Sequence, residues 1–60
     1  MKDVDVISER VGDCSYTRVS NSNLVVTLEQ IGSTKSLTTY GRGNVRQMKA
    51  IARWFHKSLQ

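Results

Sequence analysis

The sequence predicts an α+β fold: a small antiparallel β-meander of three or four strands packed on one C-terminal α-helix. Two observations predict it. Between residues 11 and 44, short segments rich in β-branched and aromatic residues alternate with clusters of Gly, Asn, Ser and Asp, the punctuation of hairpins. After Asn44 the spacing of apolar residues changes from two to three and four, the period of a helix face. The opening residues fit both periods, so α-β-β-β-α is the alternative architecture.

Asp3-Val4-Asp5-Val6 alternates as a strand would, and valine favours that state. Val4, Ile7 and Val11 also have helical spacing, which keeps the alternative open. Gly12-Asp13 is a turn. Cys14–Val19 is the next strand segment, followed by the polar loop Ser20-Asn21-Ser22-Asn23. In Leu24–Ile31, Leu24, Val26 and Leu28 fall on one face and Thr27 and Glu29 on the other, the period of a half-buried strand. Gly32-Ser33 turns the chain into Lys35–Tyr40. Gly41-Arg42-Gly43-Asn44 then leads into a helix from about Val45 to Ser58. Its apolar stripe is Val45, Met48, Ala52, Phe55 and Leu59, with Asn44 as N-cap and Gln47 three residues on, a variant of the capping box.

Sixty residues form one domain, 1–60, without linker, repeat or low-complexity tract. A chain of this size buries only about 60% of its unfolded surface. Cross-links are scarce: Cys14 is the single cysteine and His56 the single histidine, too few for a disulfide within the chain or a four-ligand zinc site. A homodimer is therefore one expectation. The opening Met-Lys-Asp-Val-Asp is unlike a secretory signal, and no apolar run approaches the roughly 20 residues of a membrane span. With one unpaired thiol, the expectation is a soluble cytoplasmic protein.

The net charge of +4 hides a strong asymmetry. Residues 1–31 carry Lys2, Arg10 and Arg18 against Asp3, Asp5, Glu9, Asp13 and Glu29, a formal −2. From Gly32 onward there is no acid, and Lys35, Arg42, Arg46, Lys49, Arg53 and Lys57 give +6. On a helical wheel, Arg46, Lys49, Arg53 and Lys57 fall within a quarter of the circumference, joined by Arg42 if the helix reaches it. A helix surface selected for stability alone would mix Glu with Lys, because like charges at i,i+4 repel. The six cations are thus the candidate phosphate contacts. The Gly-Arg-Gly entry is expected to be a turn requiring positive φ, in preference to an anion-binding nest. Trp54 is read as a core-filling residue, and as the interface candidate if it is exposed. His56 is expected at the surface near the helix end and Cys14 as a small, buried or half-buried strand residue. No catalytic constellation, metal site or cofactor motif is present, so a non-enzymatic role is expected.

The stretch from Gly41 to Ala52 resembles the end of a double-stranded-RNA-binding domain, where a Gly-rich turn after three strands opens a basic helix. The resemblance implies a phosphate contact for Arg46. The family's second lysine falls on Gln47 and its later lysine and alanine on Ala50 and Lys49, and its N-terminal helix would have to be residues 3–11. The order of strands then helix is also similar to the arm-site-binding domains of phage integrases. The motif is not met, and no family is recognised.

Three functions follow as expectations. The first is a small nucleic-acid-binding protein or accessory regulator that grips DNA or RNA backbone through the basic helix. The second is a protein-binding inhibitor, antitoxin-like protein or adaptor that docks the helix on an acidic partner surface, with Trp54 as hot spot. The third is a structural subunit whose basic helix meets the acidic half of another copy.

Overall fold

A computed structural model describes residues 4–59. Lys2 and Asp3, counted above among the N-terminal charges, lie outside the described residues. Four strands, β1 (Asp5–Val11), β2 (Cys14–Ser20), β3 (Leu24–Ile31) and β4 (Thr34–Gly41), precede one helix, α1 (Val45–Lys57). The strands form a single sheet in the order β1-β2-β3-β4, each antiparallel to its neighbour. The α+β meander is therefore the four-stranded version. Asp5–Val11 is a strand, which overturns the helix-first alternative and, with it, the N-terminal helix that the RNA-binding resemblance required. Pairing with β2 over its whole length supplies backbone hydrogen bonds that an isolated short helix could not match.

Local chemistry sets each turn. Val11 pairs with Cys14 and Ile31 with Thr34, so Gly12-Asp13 and Gly32-Ser33 are two-residue hairpin loops. The glycines have φ of +59° and +62° at the first loop position, the sign that a type II′ turn requires. The two turns are tied together where the Gly32 N–H donates to the Asp13 carbonyl at 3.0 Å. At the other end of the sheet, Asn21 Oδ1 accepts from the backbone N–H groups of Asn23 and Leu24, both at 2.8 Å. This side chain, in place of a glycine, folds the β2–β3 loop.

Strand alternation decides what is buried. Val19, Leu24, Val26, Met48 and Ala52 form the core, with Val4, Val6, Leu37, Val45 and Ile51 packed against it. α1 lies over β2 and β3 and reaches β1 less extensively. Its N-terminus is capped as its sequence predicts. Asn44 Oδ1 accepts from the Gln47 N–H at 3.1 Å, and Asn44 Nδ2 donates to Gln47 Oε1 at 3.3 Å. At the other end, Arg10 of β1 donates from Nη1 to the Leu59 carbonyl at 3.0 Å, a cation placed on the negative end of the helix dipole. Among the described residues, no other element lies on the second face of the sheet.

Three expectations are corrected. Cys14 is exposed, because the alternation that buries Ser15, Thr17 and Val19 turns residues 14, 16 and 18 to the bare face. Trp54 is 67% exposed. It lies about 120° round the helix from Met48, and instead of filling the core it meets Phe55 edge-on at 5.0 Å. His56 is 3% exposed: it continues the i,i+4 column Met48–Ala52–His56 that faces the sheet.

Candidate functional site

The helix covers β2 and β3, so β4 overhangs it. Along β4 every residue but Leu37 is exposed. Between the overhang and the C-terminal half of α1 lies an open cleft of about 390 Å³ lined by Leu28, Lys35, Arg53, His56 and Lys57. Register explains why Lys35 is there. It pairs with Gln30 across β3–β4 and so shares the helix-facing side with Leu28 and Leu37. Arg53 and Lys57 are one helical turn apart on the wall opposite Lys35. Three cations from two elements thus converge over an apolar floor.

Of the remaining predicted residues, Lys49 and Arg46 continue as a track along the flank of α1 that walls this cleft. Lys49 lies one turn before Arg53, and Arg46 occupies the same flank by helical angle. Arg42 does not belong to the helix, which starts at Val45; it stands in the connecting turn, where its N–H donates to the Asn23 carbonyl at 3.0 Å. The helix N-terminus itself is well occupied. Val45 N–H donates to the Gly43 carbonyl, Met48 N–H to that of Asn44, and Gln47 N–H to the Asn44 side chain. Gly41 and Gly43 have φ of +102° and +156°, so the Gly-Arg-Gly entry is a strand-to-helix turn, as the sequence predicts. Trp54 lies on the other flank of α1, about 100° from the middle of the basic ridge, and is not brought to the cleft.

Three of the four described acids are turned away from this track, and Asp13 stands in the β1–β2 turn, where its carbonyl accepts from Gly32. Asp5, Glu9 and Glu29 alternate to the bare sheet face. Tyr16 and Tyr40 are also on that face; Tyr16 pairs with Glu9 on one side and Glu29 on the other, a setting that disfavours a polyanion. With Arg18 as the cation among them, these acids leave the bare face net negative, opposite in sign to the track.

Beneath the cleft runs a buried polar chain that sequence reasoning missed. Ser8 Oγ lies 3.2 Å from Thr17 Oγ1, Thr17 Oγ1 3.4 Å from His56 Nδ1, and His56 Nε2 2.8 Å from Gln30 Oε1. Gln30 Nε2 donates to the Gly32 carbonyl at 2.8 Å, which orients its amide so that Oε1 accepts from an Nε2–H tautomer. Neutral His56 then accepts from Thr17 through Nδ1, and the polar atoms of this small core are satisfied. Burial, and next the positive charge of Lys35, pushes the pKa of His56 below its ordinary 6.5. The signal for this was present: His56 stands four residues after Ala52, in the column that faces the sheet.

The sign of the resulting pH dependence is fixed. A histidine with a lowered folded pKa binds fewer protons folded than unfolded, so stability rises with pH across the interval. Its contribution is complete above about pH 6.5 and is lost as pH falls through the folded pKa. Thermal unfolding followed by circular dichroism is expected to show a lower Tm at pH 5.5 than at pH 7.5. His56→Gln should flatten that interval; an unchanged slope in the variant would show that another group is responsible.

No protein-family model, curated protein or solved structure matches this chain. Among the described residues, no cluster of three or more His, Cys, Asp or Glu could hold a metal ion, and no helix is long and apolar enough to cross a membrane.

Proposed function

We propose that this chain is a small non-enzymatic nucleic-acid-binding protein or accessory regulator that holds the phosphate backbone of DNA or RNA along the groove between β4 and α1. One observation carries the reading: Lys35 from β4 converges with Arg53 and Lys57 from α1 on one cleft, with no acid anywhere in residues 32–60. Lys49, Arg46 and Arg42 continue the track. A helix of 13 residues is about 20 Å long, the length of about six phosphates at 3.4 Å each along one strand. Such contacts position the polymer without reading its bases, so affinity is broad in sequence and steep in salt. A reducing, cytoplasmic setting goes with this role, since Cys14 is a lone exposed thiol.

The test is anisotropy of labelled DNA and RNA duplexes titrated with the protein at two salt concentrations. Six phosphate contacts predict a loss of about 10³-fold in affinity between about 50 and 200 mM salt. Binding that ignores salt, or none at the lower concentration, would sink the reading.

The exposure of Trp54 favours a second reading, in which α1 docks on an acidic protein surface. Its bulk and its edge contact with Phe55 make it a rigid hot-spot residue. Trp54→Ala separates the two, for it should abolish a protein complex and leave a phosphate-held one within a few-fold.

A further inference from the structure

Among the described residues, four of the five exposed large hydrophobics, Ile7, Val11, Ile31 and Tyr40, are 44–80% exposed, and strand alternation puts all four on the bare face of the sheet. We propose that this face is the contact between two copies of the chain, related by a two-fold axis running across the strands. Among the described residues the core behind the sheet has six buried hydrophobic side chains, small enough that a chain of this length commonly relies on a second subunit. Area permits it. The two longer extents of the molecule, 30 and 19 Å, bound the face at about 570 Å², so full overlap of two faces covers at most about 1,100 Å², at the lower end of the roughly 1,000 Å² or more expected of a specific interface.

The register also makes the two central strands of the face, β2 and β3, self-complementary. Its two central rows are one containing Arg18 and one containing Glu9, Tyr16 and Glu29. An axis between those rows exchanges them. Arg18 then lies over the partner's Tyr16, beside the partner's Glu29, combining a cation–π contact with an ion pair. The outer rows exchange likewise, setting Ile31 against the partner's Val25 and Tyr40, with sheets about 10 Å apart. On the edge strand β1 the same exchange sets Glu9 against the partner's Ile7 and Asp5 against the partner's Val11, at the solvated rim where charge is tolerated, so the apolar contact is carried by β3 and β4. A stacking that aligned identical rows would instead place Arg18 over the partner's Thr27 and lose this pairing. In the two-fold arrangement α1 is on the outside of each copy, so the two basic grooves face away from one another.

Sedimentation equilibrium of the full chain without nucleic acid tests this independently of what the grooves bind. The expected mass is twice the 6.8 kDa of one chain. Ile31→Arg should return it to one chain, with an unchanged circular dichroism spectrum. Arg18→Glu should weaken the dimer at least tenfold, and adding Glu29→Arg should restore it; this pair of exposed substitutions keeps the test open if Ile31→Arg fails to fold. A single-chain mass at the highest soluble concentration would overturn the proposal. So would a dimer that ignores both sets of variants, which would point to pairing along a strand edge. Species growing beyond two chains with concentration would overturn it too, indicating head-to-tail stacking of groove on acidic face.

Discussion

Gly41→Ala is expected to lower the melting temperature by well over 10 °C, whereas Gly32→Ala lowers it by no more than about half as much. Both glycines have positive φ, +102° and +62°, which costs an alanine about 1–3 kcal/mol. Their surroundings differ. A Cβ on Gly32 meets nothing within 4 Å, whereas one on Gly41 would overlap the carbonyl oxygen of Asn23 and press on Leu24 Cα at 3.2 Å. Those are backbone atoms and cannot rotate away. Gly41 pairs with Leu24 at the end of β3–β4, and Leu24 is the largest side chain fully buried in the core. Relieving the overlap therefore separates β4 from β3 or drags Leu24 out of its site. A loss of about 3–5 kcal/mol follows, a large share of the few kcal/mol that hold so short a chain folded. Each kcal/mol corresponds to about 4–8 °C for a domain of this size. Equal shifts for the two variants would show that strain alone, and not the contact with Asn23, governs Gly41.

The second large effect is on binding. Arg53→Glu combined with Lys57→Glu should weaken duplex binding by about 100-fold or more at low salt and reduce the steepness of its salt dependence by about two contacts. Both side chains wall the cleft and both are replaced by charges that repel phosphate. The fold should survive, because neither residue is in the core and the substitution relieves repulsion with Lys49. Anisotropy measures the loss, and the melting temperature guards against misfolding. Trp54→Ala, on the opposite flank, should stay within a few-fold of wild type. If the double reversal binds duplexes as wild type does, the groove is not where nucleic acid sits.

Much of the fold was legible in the sequence, because its signals are local. Leu24–Ile31 matches β3 to the residue, since its alternation and its flanking turns agree. Asn44 and Gln47 fix the start of α1 through contacts only three residues apart. The site was legible in part. The helix alone predicted Arg46, Lys49, Arg53 and Lys57 as a ridge, but the place of Lys35 depends on β3–β4 register and on how far β4 overhangs α1. Neither is a local property. Trp54 and His56 were misplaced for a related reason. The apolar stripe could be continued through Phe55 or through His56, and hydrophobicity prefers Phe55. The sheet selects the column Met48–Ala52–His56, because Thr17 and Gln30 offer His56 polar partners beneath the helix. Trp54 is thereby turned outward.

An acid-free helix makes dissolved salt act in opposite directions on the free protein and on its complex. α1 has no acid in its first turn, and Lys49, Arg53 and Lys57 follow one another at four-residue intervals, each like-charged pair costing a few tenths of a kcal/mol. Mobile anions screen that repulsion, so added salt should make the free protein melt at a higher temperature. The same anions compete with phosphate and loosen the complex. A nucleic acid supplies at high density the counter-charge that the helix lacks, so its binding and the firmness of α1 on the sheet rise together. The chain is held least tightly when it is alone in dilute buffer.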